Sequence, residues 1–206
     1  MTSENKTGLE HLKIIDGLDG PEIHTESGWY VQPLFYRRIP NKDWNRFINC
    51  TKALIRNSPE YKTFVSKCKN MGMIQCSFLH NVEDENATIE IHHAILGLHD
   101  ICEIVTDHIS CETGVTSMLI AHEVLKAHFN NMIAVVALSK TVHQLVHAGK
   151  VHIHIHQIYG DILSFLKTYY RGVKTEHILK LKRAIDNSKE NKFHDENLLT
   201  FQNNIK

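Results

Sequence analysis

The sequence is short of several features whose absence narrows what it can do. No apolar run approaches the ~20 residues that a membrane-crossing helix needs, so no membrane segment is expected. The first residues, MTSENKTGLEHLK, lack the apolar stretch of a secretory leader. The five cysteines, Cys50, Cys68, Cys76, Cys102 and Cys111, are odd in number and contain no C-x-x-C pair. That spacing argues for reduced thiols in a cytoplasmic compartment and against a cysteine-ligated zinc ribbon. Net charge is missing too. Lys and Arg total 23 and Asp and Glu total 23, so the molecule as a whole does not advertise itself to a polyanion. No internal repeat is present. What remains, at 206 residues and 42% hydrophobic, is enough chain for one compact domain with appendages.

Two things are abundant. The basic residues Lys167, Arg171, Lys174, Lys180, Lys182, Arg183, Lys189 and Lys192 face only Glu176, Asp186 and Glu190 over the same stretch. A helix there is either a solvated face or a phosphate contact. Histidine is the other, with 16 residues. Imidazole is the commonest metal ligand and titrates nearest neutrality, so such an excess calls for a search for sites.

The pattern along the chain reads as α+β. Residues 1–28 form a loose arm, and 29–72 a mainly helical region that opens on an extended stretch at 29–38. Helical spacing of Trp44, Phe47, Ile48 and Leu54 marks a helix over 41–57. Ser58 caps the next helix, with Pro59 in its first turn and Gly72 after its end. A core over 73–160 comes next, beginning with strands at 73–82 and 87–95 joined as a hairpin through 83–86. Two amphipathic helices, 98–108 and 115–129, are inserted after them. An apolar strand over 133–138 leads into a helix over 140–147 that begins at Ser139 and is stopped by Gly149. The alternation of Val151, Ile153 and Ile155 with His152, His154 and His156 reads as a strand, either half-buried or carrying a second metal row. Residues 161–206 give helices at 161–170 and 174–187 and a polar tail.

Chemistry concentrates in two pieces. One is Glu90-Ile91-His92-His93 at a strand end; the other is His143-Gln-Leu-Val-His147-Ala-Gly-Lys150 on a short helix. Residues four apart on a helix share a face, so His143 and His147 can hold one cation between them. A third imidazole from the strand completes a three-ligand set with open positions, as catalytic metal sites require. Neighbouring residues of a strand point to opposite sides, so His92 and His93 can hold different jobs. Glu90 shares a strand face with His92, where it can orient a ligand or bind metal. His99, His108, His122 and His128, in the inserted helices, are expected as surface or interhelix residues, with His99 close enough in sequence to join the cleft.

The order of an ExHH strand, an apolar strand and an HxxxH helix ending in Gly-Lys resembles the HNH, or ββα-metal (His-Me finger), endonuclease family. It is similar in motif to colicin-type DNases and phage HNH proteins. The resemblance covers 89–150, interrupted by the helical pair. It implies a ββα-metal core with flanking helices. It also implies one divalent metal ion (Zn²⁺, Mn²⁺, Ni²⁺ or Mg²⁺) on His92, His143 and His147, with His93 as general base and Glu90 as the supporting acid. DNA is the implied substrate, a phage origin is suggested, and a homodimer is allowed. Lys150, Lys167, Arg171 and Lys174 are candidate phosphate contacts. Ala134 stands where the family has its middle Asn, with Asn130 and Asn131 just upstream. Two other classes compete with the nuclease: an HNH-derived scaffold that binds nucleic acid or protein without cutting, and a histidine-rich metal-binding module.

Overall fold

A computed structural model describes residues 23–24, 30–31, 35–36, 39–79, 82–111 and 114–190. Three short strands, β1 (Ile23–His24), β2 (Tyr30–Val31) and β3 (Phe35–Tyr36), precede helices α1 (Trp44–Asn57) and α2 (Pro59–Asn70). Then come β4 (Ile89–His93), α3 (Leu98–Ser110), β5 (Val115–Thr116), α4 (Ser117–Phe129) and β6 (Val135–Ser139). Helices α5 (Lys140–His147), α6 (Ile162–Thr168) and α7 (Thr175–Glu190) complete the described chain. The fold is α+β. Of the expected arm, only Ile23–His24 is among the described residues, paired with Tyr30–Val31; the tail from 191 onward lies outside them.

The helix signals act as the sequence suggests. Ser58 Oγ accepts the Tyr61 N–H at 3.1 Å, relieving one of the unpaired donors at the start of α2. Ser139 and Thr116 do the same for α5 and α4. Helices α1, α3 and α4 pack on one another around Phe47, Ile48, Ile55, Ile101, Ile104 and Ile120, all fully buried. Burial of such side chains supplies roughly 1.5–3 kcal/mol each before entropy is charged against it.

Beside this helical layer lies the sheet that matters. Strand β4 pairs antiparallel with β6, from Ile89 opposite Ser139 to His93 opposite Val135. All five residues of β6 are buried, with α5 packed on one face of the pair and side chains of α2 and α4 meeting His93 on the other. That is why 135–138 reads as an unbroken apolar run rather than an alternating one.

Two expected strands are absent. The described residues of this stretch, 73–79 and 82, carry turns and a single bridge from Gln75 to Glu83, and β4 pairs with β6 rather than in the expected hairpin with 73–82. Cys76, Ser77 and Phe78 are buried in succession, which no half-buried strand allows. The partner of β4 is β6, brought in from more than forty residues away. Residues 151–158 are likewise not a strand. They end in a 3₁₀ turn, Ile155–Gln157, in which the Gln157 side chain takes the His154 N–H at 2.8 Å and gives its own N–H to Ser77 O at 2.8 Å. Gly160, at φ +109°, then brings the chain against the start of β6. A Cβ there would stand 2.2 Å from the Ile133 carbonyl oxygen.

Candidate metal centre

Antiparallel register fixes which side chains of β4 meet which layer. Glu90 and His92 face α5. His93, with Ile89 and Ile91, faces the helical layer. On α5 the four-residue spacing brings His143 and His147 to one side, and His92 meets both. Ring centroids lie 4.6 Å (His92–His143), 5.1 Å (His92–His147) and 4.6 Å (His143–His147) apart. One nitrogen from each ring falls within 4.8 Å of the others. His92 and His143 are half-buried and His147 is exposed, so the cluster opens to solvent.

Glu90 completes the arrangement. Its carboxylate accepts a hydrogen bond from Nδ1–H of His143. A carboxylate cannot donate, so His143 carries its proton on Nδ1 and presents Nε2 as a lone pair. That Nε2 stands 2.9 Å from Nε2 of His147. Two nitrogens bound at ~2.0–2.1 Å to one ion lie about 2.9–3.4 Å apart, so the pair has the spacing of neighbouring ligands. Burial first, and then the nearby His143 and His147, push the His92 pKa down to about 4. His92 is therefore neutral at pH 7, as a ligand must be. Three imidazoles and a supporting carboxylate fit Zn²⁺, Mn²⁺ or Ni²⁺ better than Mg²⁺, which prefers oxygen.

His93 occupies a different setting. Its Nε2 meets Nε2 of His128, on α4, at 2.9 Å, and the Tyr61 ring stacks on it at 6.2 Å and 8°. Burial, and then His128, hold its pKa well below the usual imidazole range. His93 is thus a neutral base at pH 7. The backbone just past it is pinned: Ala94 N–H donates to the Ala134 carbonyl at 2.8 Å. Ile95 comes next at φ +66°, a left-handed conformation that a β-branched residue adopts only at a cost of roughly 1–3 kcal/mol. Ala134 therefore braces this turn through its main chain. Asn131 instead closes α4 at φ +56°.

Of the two places the sequence pattern allows His128, surface or interhelix, the structure shows the second: it is fully buried between α4 and α2 and also engages His93. The one sequence signal for this is its place beside Val124 and Leu125 on the core face of α4. His154 is also buried, bonded through Nε2 to the Ser188 carbonyl at 2.7 Å, while His152 and His156 are exposed. Among the described residues these histidines belong to no group that could hold a metal ion.

The basic residues separate. Lys150 is exposed just beyond α5, and Lys167 is exposed on α6. Arg171 lies over the Tyr170 ring. Lys174 is paired with Asp107 at 2.9 Å and lies over Trp44, and Lys180 grips Asp100 at 2.7 Å, so both tie α7 to α3. Among the described residues no helix is long and apolar enough to cross a membrane. All five cysteines are free thiols.

Residues 22–206 match the model of a family described as bacteriophage G278-like virion protein. The chain belongs to that family. No curated protein and no solved structure matches it. The histidine cluster lies well inside the residues that match this virion-protein family.

Proposed function

We propose that this phage virion protein is a metal-dependent endonuclease of the HNH type that hydrolyses phosphodiester bonds in DNA. The observation that carries the proposal is the convergence of His92, His143 and His147 across a β4–β6–α5 unit, with Glu90 behind His143. In this reading the unit is a ββα-metal core with α3 and α4 inserted between its strands. A divalent ion on the three histidines supplies Lewis-acid polarisation of a phosphate oxygen and a counter-charge for the leaving oxygen.

The chain's own groups do the rest. His93, neutral and held by stacking and by His128, takes a proton from water as the water oxygen bonds to phosphorus. The bond from phosphorus to the 3′ oxygen breaks, and that oxygen leaves with a proton from solvent. His92 and His93 leave β4 on opposite sides, so the substrate backbone crosses the end of the strand, where the Ile95 kink turns the chain away. Lys150 is the phosphate contact placed closest in sequence to the ligands. The host cytoplasm is the compartment in which a particle-borne nuclease meets DNA.

A second reading is an inert HNH-like scaffold that binds nucleic acid or a protein partner within the particle. It is favoured by Ala134 in place of the family Asn and by the ion pairing that occupies Lys174 and Lys180. Cleavage of supercoiled plasmid by wild type and by His93→Ala, in EDTA and with each of Mg²⁺, Mn²⁺, Ni²⁺ and Zn²⁺, separates the two. Metal-dependent nicking that falls about 10²–10⁴-fold in His93→Ala supports the nuclease. Salt-dependent DNA binding with no cleavage under any metal supports the scaffold.

A further inference from the structure

The pairing of His93 with His128 contains a chain of hydrogen bonds whose direction is fixed at one end. His128 Nδ1 lies 2.7 Å from the Val124 carbonyl oxygen, one turn back on α4. A carbonyl only accepts, so His128 carries its proton on Nδ1. Its other nitrogen, Nε2, is then a lone pair in the neutral ring. That lone pair faces Nε2 of His93 at 2.9 Å, so His93 must be the donor and carry its proton on Nε2. The atom left free on His93 is Nδ1, which no hydrogen bond engages among the described residues.

The surroundings keep this arrangement single-valued. His128 is fully buried, with the Phe64 ring edge-on at 4.9 Å and the Tyr61 ring at 5.7 Å. Aromatic walls leave little room for a water that could substitute for either partner. Reversing the chain would move the His128 proton to Nε2 and strip the Val124 carbonyl of this donor, a cost of about 1–3 kcal/mol.

We infer that His128 is a positioning residue for His93: by accepting Nε2–H it selects one tautomer and makes Nδ1 the basic atom. The tautomer assignment stands on the hydrogen-bond geometry together with the neutral ring that burial imposes on His128. Its consequence for cleavage rests on the nuclease reading. Among the described residues His128 makes no contact with His92, His143 or His147, and in this inference it acts through His93.

The test combines a spectroscopic and a kinetic measurement on the full chain. Long-range ¹H–¹⁵N correlation spectra of ¹⁵N-histidine-labelled protein at pH 7.5, with His93→Gln used to identify the His93 signals, report which ring nitrogen carries the proton. The expected result is protonated Nε2 and bare Nδ1 on His93, unchanged in His128→Gln, whose side-chain oxygen can accept in the same place. In His128→Leu the His93 signals should shift to a mixture of tautomers. A His93 protonated on Nδ1 in wild type overturns the inference, as does an unchanged single Nε2–H tautomer in folded His128→Leu.

Where wild type cleaves plasmid, His128→Leu should lose about 10²-fold or more in kcat at unchanged KM and unchanged Zn²⁺ affinity, with His128→Gln within a few fold of wild type. Full activity in folded His128→Leu also overturns it. Should wild type fail to cleave, the nuclease reading falls while the spectra still decide the tautomer. Should His128→Leu not fold, the wild-type spectrum and the His128→Gln rescue remain decisive.

Discussion

Glu90 of β4 accepts a hydrogen bond from Nδ1–H of His143 on α5, and so binds strand to helix at the point where three imidazoles meet. The bond has two effects: it sets the His143 ring angle and it fixes the proton away from the open side of the cluster. Carboxylates in this position also raise the basicity of the imidazole they hold.

Glu90→Gln should therefore weaken divalent-metal binding without unfolding the protein. An amide can hold the ring by hydrogen bond but carries no charge, and loss of such support typically costs about 10–100-fold in affinity. Titration calorimetry with Zn²⁺ or Mn²⁺ checks this, with His147→Ala as the reference for losing a ligand outright. Equal affinity in wild type and Glu90→Gln would mean that Glu90 only links the two elements.

Much of this site is legible in the sequence because its parts are local. The four-residue spacing of His143 and His147, the Ser139 cap and the Gly149 stop all act within one turn of helix, and α5 is found over the expected 140–147. Glu90 and His92 share a strand face by simple alternation. What the sequence hides is long-range. The partner of β4 lies beyond two helices, and a short apolar stretch at 73–82 offers a nearer and more obvious hairpin. Residues 151–158 alternate as a strand would, yet the side chain of Gln157 captures the backbone of His154 and the stretch coils into a 3₁₀ turn. The role of His128 is hidden because a histidine on a helix carries no sign of what packs against it.

Acid should destabilise the fold through His128. Burial lowers its pKa to about 4, against 6.5 for an exposed imidazole. Between those values the unfolded chain binds a proton that the folded chain refuses, so stability is complete above pH 6.5 and declines as pH falls toward 4. At about 1.4 kcal/mol per pH unit, the His128 share is on the order of 3 kcal/mol. The groups that face His128 are His93 from β4 and Tyr61 from α2, and His93 is shifted in the same direction. Urea denaturation at pH 7 and pH 4 measures the loss. In His128→Gln it should be smaller by that amount, with the His93 contribution remaining; an unchanged loss would show that His128 is not the group refusing the proton.

The basic residues near the end of the chain give a prediction that separates surface charge from structural charge. Lys150 is exposed and unpaired by any carboxylate among the described residues, directly after the helix that carries His143 and His147. Lys174 is held by Asp107 at 2.9 Å and packs on Trp44, so its charge is already spent inside the molecule. A lysine that contacts phosphate releases about one counterion on binding, and its loss lowers the salt dependence of the affinity by about one unit of slope. Lys150→Ala should therefore reduce both DNA affinity and the slope of log K against log salt. Lys174→Ala should leave both close to wild type while loosening α7 from α3, an effect of up to about 1 kcal/mol seen in urea denaturation. Fluorescence anisotropy of a labelled duplex over a range of salt, with Ca²⁺ in place of a catalytically competent ion, gives both slopes. The reverse ranking would place the DNA track along α7 and away from the mouth of the histidine cluster, and with it the path by which a phosphate reaches His93.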